Sequence, residues 1–234
     1  MIVSFLHDYI FIKTKKTGGT TVEVTLSASC GPKDIVTPLG PRDEIARAGS
    51  RPVCRNFASD PAIERGLLDA IARDDKKAYL RARKHSDFFA HMSAAEIRDK
   101  LAPDFWARAF KFTVERHPYE KAVSAAYFKY RPQKDKAFDA YLDDFLRAGT
   151  YSSWRFYTID DNPAVDEFIR QETLLPDLKR IGARLGVPIP DELVRTKTKS
   201  RADKRPAREI LNDRQKEIVY EFCRKEFDLL GYER

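Results

Sequence analysis

Apolar residues fall along this chain in two rhythms, short unbroken runs and longer stretches with helical spacing, and the two alternate. The run YIFIKT (9–14) is apolar and β-branched enough for a buried strand, and TTVEVTLSAS (20–29) follows as a helix in spite of its β-branched content. Residues 31–61 hold five prolines and three glycines and predict an irregular insertion. Helical stretches follow at 62–83 and 93–101, the second opened by Ser93 with Glu96 three residues on, the spacing of a capping box. FKFTVER (110–116) is the second clear strand. HPYEKAVSAAYFKY (117–130) is the helix after it, with Pro118 in the first turn, where a missing N–H costs little. Further helices are predicted at 137–147, 172–186 and 213–229, with a short strand near VDEFI (165–169). Strands alternating with helices predict an α/β layered fold, a central and mostly parallel sheet flanked by helices. It is read as one domain over residues 1–234 with the insertion at about 31–61.

Composition narrows the class. With 42% hydrophobic residues in 234, the chain can bury a sizeable core. No run approaches the roughly 18 apolar residues of a membrane-spanning helix, and MIVSFLHDYIFIK lacks a basic stretch ahead of a small-residue cleavage site. The expectation is a soluble, cytoplasmic protein with no membrane span. Cys30, Cys54 and Cys223 are an odd number without CxxC spacing, which points away from a disulfide framework or a zinc site.

The net charge is +7, and RTKTKSRADKRPAR (195–208), with seven basic residues and one acid, carries most of it. Such a run is either a solvated loop or an anion-binding flap. Nucleic acid is disfavoured as a partner, since zinc-finger spacing, RNP-type aromatics and a basic zipper are all lacking.

The loop between the first strand and helix carries candidate chemistry. A glycine-containing turn at a helix N-terminus is a ready anion site, because unpaired N–H groups and the positive end of the helix dipole converge there. Gly18 and Gly19 admit the anion close to the backbone, Lys16 supplies a mobile charge, and Thr17, Thr20 and Thr21 add hydroxyls. The order is not that of a Walker A loop, because the lysine precedes the glycines. At the end of the second strand, Arg116 presents a planar fork suited to phosphate, and Ser124 lies eight residues on along the next helix. Taken singly, a ligand-free Gly/Thr turn is the alternative for the loop, and a salt-bridged arginine and a small packing serine are the ordinary readings of Arg116 and Ser124.

Together the segments resemble the sulfotransferases that use 3'-phosphoadenosine 5'-phosphosulfate, closest to the carbohydrate and heparan-sulfate-type branch. KTGGTT (16–21) is similar to that family's 5'-phosphosulfate loop, ERHPYEKAVSAAY (115–127) to its 3'-phosphate segment, AHMSAAEI (90–97) to the stretch bearing a catalytic histidine, and RQKEIVYEFCRKEFDLLGY (214–232) to its terminal helix. The chain departs from the pattern at Lys15, where proline is usual, and residues 31–84 resemble nothing in it.

The resemblance implies a P-loop-like fold and transfer of a sulfuryl group to an acceptor hydroxyl, first of all a carbohydrate's. Lys16 and the loop (Thr17, Gly18, Gly19, Thr20 and Thr21) would hold the phosphosulfate. His91 would serve as general base, Arg116 and Ser124 would hold the 3'-phosphate, and Lys199 and Ser200 would fold over the nucleotide. The co-substrate would be 3'-phosphoadenosine 5'-phosphosulfate, with no metal. Two other readings stay open: a P-loop phosphotransferase, and a non-catalytic nucleotide or polyanion binder.

Overall fold

The computed structural model describes residues 1–48, 53–132, 134, 136–194, 201 and 203–234. The chain opens with β1 (Ile2–Ser4), β2 (Tyr9–Ile12), α1 (Gly19–Ser27), β3 (Ile35–Val36), α2 (Pro41–Ala48), α3 (Pro61–Ala72), α4 (Lys76–Arg83), α5 (Ala94–Arg98) and α6 (Pro103–Arg108). It continues through β4 (Phe110–Glu115), α7 (Pro118–Lys129), α8 (Phe138–Arg147), α9 (Trp154–Tyr157), β5 (Thr158–Ile159), β6 (Asn162–Pro163) and β7 (Glu167–Arg170), and ends with α10 (Leu174–Leu185), α11 (Ala207–Ile210) and α12 (Asp213–Leu230).

Five strands form one sheet in the order β3-β1-β2-β4-β7. β2, β4 and β7 are parallel neighbours, and β1 runs against both β2 and β3, so four strands share one direction. All four residues of β2 are buried, which is why the stretch reads as a continuous apolar run. Alternation divides it between two faces. Tyr9 and Phe11 pack with Val22 and Leu26 of α1 and Leu178 and Ile181 of α10, whereas Ile10 and Ile12 pack with Met92, Ile97 and Phe105 on the α5 and α6 side. Each fully buried side chain of this kind contributes about 1.5–3 kcal/mol. Helices therefore flank both faces, and a third cluster joins α7, α8 and α12 through Ala122, Leu146, Val219 and Phe227.

The structure refines several expectations. The stretch 62–83 is two helices, because Asp74 turns into the left-handed region at φ 50° and the Asp75 carboxylate then caps Lys77 and Ala78. Within 31–61 the chain is not wholly irregular: Ile35–Val36 adds an edge strand to β1, and a helix follows at Pro41–Ala48. The Ser93–Glu96 capping box forms, and Pro118 occupies the first turn of α7. α1 holds β-branched residues in a helix because all nine of its residues are buried, so packing outweighs propensity. Among the described residues no helix is long and apolar enough to cross a membrane.

Candidate functional site

β2 and β4 lie side by side in parallel register, Ile12 opposite Thr113. Their C-terminal ends therefore release two loops at the same edge, the place where open α/β sheets bind ligands. One loop leads into α1 and the other into α7, which brings Lys16 and Arg116 to a single cleft of about 1130 Å³.

The first loop is shaped by two left-handed residues, Lys16 at φ 64° and Gly18 at φ 88°. Only at Gly18 does the absence of a Cβ remove the strain. Gly19 is needed for another reason: a Cβ there would meet the Lys13 side chain at 2.9 Å. That lysine stem passes beneath the turn to pair with Glu23 inside the protein. Burial by itself would raise the Glu23 pKa, but the Lys13 ammonium, with the Met1 amine and Arg47, overrides it and holds the carboxyl at about 2.

Lys16, Gly18, Gly19 and Thr20 line the cleft, with the Lys16 ammonium 4.1 Å from the centre of the Phe128 ring. Thr17 and Thr21 do not line it. Thr17 is fully buried against the Thr14 hydroxyl at 2.8 Å, and Thr21 donates to the Val194 carbonyl at 3.2 Å, so both hydroxyls brace the loop.

Arg116 leaves the end of β4 and bonds the Glu120 carboxylate through Nη2 at 3.0 Å. A second guanidinium reaches the same carboxylate from the far C-terminal segment, Arg201 Nη1 at 2.7 Å, and the Ala207 N–H donates to its other oxygen at 2.6 Å. Burial alone would raise the Glu120 pKa; these donors keep it low. Nε of Arg116 and Nε of Arg201 are both buried with no hydrogen-bond partner among the described residues. Such orphaned donors are costly unless an acceptor arrives. Ser124 and both arginines line the same cleft.

His91 reaches this cleft from the segment before α5. Its Nδ1 lies 3.1 Å from the Lys13 carbonyl. A carbonyl can only accept, so Nδ1 carries the proton and Nε2 keeps its lone pair. Burial, reinforced by the nearby Lys13 charge, lowers the imidazole pKa to about 3. The ring is therefore neutral at physiological pH and able to accept a proton. His117, in contrast, caps α7 by accepting from the Tyr119 N–H at 3.2 Å.

The cleft thus gathers Lys16, Gly18, Gly19, Thr20, His91, Arg116 and Ser124. Lys199 and Ser200 lie outside the described residues. Arg201 escaped sequence reasoning as an individual, although the charge of its run was a signal. Of the others that line the cleft, Lys15 stands out only as a departure from the resembling pattern, Phe128 lies in a stretch read simply as helix, and Arg155 in one with no predicted element. Among the described residues, no three His, Cys, Asp or Glu side chains group as metal ligands would. Comparison with family models, curated proteins and solved structures finds no match to this chain.

Proposed function

We propose that this chain is a sulfotransferase with a P-loop-like core, moving the sulfuryl group of 3'-phosphoadenosine 5'-phosphosulfate to a hydroxyl, first of all a carbohydrate's. The observation that carries the reading is the convergence on one cleft of the Lys16 loop, a neutral imidazole and two guanidiniums with orphaned Nε donors. These groups come from four separate parts of the sequence.

The chemistry follows from the atoms. The acceptor oxygen attacks sulfur as the bond from sulfur to the phosphate oxygen breaks, and the hydroxyl proton passes to Nε2 of His91. Adenosine 3',5'-bisphosphate leaves. Charge grows on the departing phosphate, where the Lys16 ammonium and the N–H groups at the start of α1 stabilise it. Arg116, Arg201 and Ser124 would take the 3'-phosphate, whose oxygens satisfy the orphaned Nε donors and hold the donor in line. A pKa of about 3 suits a weak base, and the negative charge of the bound donor moves it upward, nearer the range where general-base catalysis is effective.

The test is thermal stabilisation followed by turnover. Adenosine 3',5'-bisphosphate without metal should raise the melting temperature more than Mg-ATP does, and radiolabelled sulfate should pass from the donor to a carbohydrate acceptor. Stabilisation by Mg-ATP alone would favour a phosphotransferase. Stabilisation by the bisphosphate with no transfer to any acceptor would favour a binder.

A further inference from the structure

On α10 and α12 exposed cations reach acids: Lys179 pairs with Asp191, Arg180 with Glu167, Arg224 with Asp228 and Lys225 with Asp161. α4 departs from this. With its C-cap it reads KKAYLRARK (76–84), five basic residues and no acid. Lys76, Lys77, Arg81 and Lys84 are exposed, and none forms an ion pair among the described residues.

Helix stability does not account for this charge. The dipole of α4 favours Arg81 and Arg83 in the last turn but opposes Lys76 and Lys77 in the first, where no acid stands. Asp75, which precedes them, is the N-cap, its carboxylate taken by the Lys77 and Ala78 N–H groups.

The arrangement is that of a face. The inward side of α4 is already covered: Tyr79 is buried with Leu67, Ala70 and Ile71 of α3, and Ala78 and Ala82 pack on the same cluster. Helical spacing puts Lys76, Leu80 and Lys84 in one outward row and Lys77 with Arg81 in the next. Leu80 is 47% exposed in the middle, one turn from a lysine on either side.

We infer that this face of α4 docks on an anionic phospholipid bilayer, with the cations among the headgroups and Leu80 entering the interface between them. Leu80 selects the bilayer. A soluble polyanion, nucleic acid included, attracts the cations alone, whereas a bilayer also takes the leucine and the lysine stems out of water. The face is one convex helix about 12 Å long, which a fluid plane accommodates, while protein partners favour aromatic or arginine anchors seated in pockets. Each lysine or arginine near such a surface tightens binding about fivefold, so four of them act together on the order of several hundredfold. The inference is independent of what the cleft binds, and α4 lies within the stretch that has no counterpart in the resembling family.

The test sediments the full chain with vesicles of phosphatidylcholine alone and of phosphatidylcholine with roughly 30% phosphatidylserine, at about 0.1 M salt. Wild type should bind the anionic vesicles at least about tenfold more tightly, and less so as salt rises. The double variant Lys77→Gln/Arg81→Gln should weaken that binding about 25-fold, and Leu80→Gln, which changes no charge, about fivefold. Glutamine sustains a helix, and melting temperatures report that the variants fold. Equal binding to the two kinds of vesicle, or to neither, would overturn the inference. So would variants that bind as tightly as wild type, which would assign the attachment to another basic stretch such as 195–208. If only the double variant loses binding, and heparin or single-stranded DNA shows the same loss, the face serves a soluble polyanion and the bilayer reading falls.

Discussion

Replacing His91 with asparagine keeps an amide donor toward the Lys13 carbonyl and removes the only titrating group of the side chain, so stability and chemistry are tested in one variant. The folded protein holds the imidazole neutral down to about pH 3, against an ordinary value of 6.5. Between those two values the unfolded chain binds a proton that the folded chain refuses, so the histidine makes wild type less stable as pH falls through that window. Each pH unit is worth about 1.36 kcal/mol, so roughly 2 kcal/mol is lost by about pH 5 and at most about 5 kcal/mol by pH 3. Urea unfolding of wild type and His91→Asn at about pH 8 and pH 5 should therefore show the difference in stability shifting by about 2 kcal/mol in favour of the variant at the lower pH. Parallel profiles would refute the buried, neutral imidazole. In the donor complex the same variant should bind the bisphosphate about as well as wild type yet lose roughly 10²–10⁴ in turnover, the usual scale of acid–base catalysis. Full activity would make the histidine structural.

Lys16→Ala should keep the fold and lower turnover by about 10²–10³, corresponding to roughly 2.7–4 kcal/mol of lost transition-state stabilisation; a near-normal steady-state rate would remove the loop from the mechanism. Arg116→Ala should weaken bisphosphate binding by about 1.5–3 kcal/mol, and Ser124→Ala by less. Both should blunt discrimination against adenosine 5'-monophosphate in calorimetry, and full retention of that discrimination would move the 3'-phosphate elsewhere. Glu23→Ala removes the buried carboxylate that both the Lys13 ammonium and the Met1 amine contact and should cost about 3–5 kcal/mol. That corresponds to roughly 10 °C in melting temperature, and an unchanged melt would show the pair to be dispensable.

The parts legible in the sequence are those whose signal is local. β2 is an apolar run because both of its faces are covered, α7 announces itself with Pro118, and Ser93 and Glu96 are close enough to form their own cap. β1 and β3 are three and two residues long; β1 exists because β2 offers an edge to build on and β3 because β1 does, a fact of tertiary pairing with no periodicity to detect. The break at Asp74 rests on a single backbone dihedral that aspartate tolerates. Of the site, the glycine loop and the Arg116–Ser124 spacing could be read directly. The meeting of Arg116 with Arg201 could not, since 85 residues of chain separate them and Glu120 joins them in space.

Lys13 touches three parts of the site at once: its ammonium holds Glu23 of α1, its stem fills the space under Gly19, and its carbonyl fixes the tautomer of His91. Positions 13, 19, 23 and 91 therefore cannot drift independently. A larger residue at 19 displaces the stem, and with it the carbonyl that orients the base, so a change in the phosphate-facing turn is felt as a change in proton transfer. Sequences that keep this cleft should vary at these four positions together or not at all, and an attempt to redesign the loop has to begin with a shorter side chain at 13.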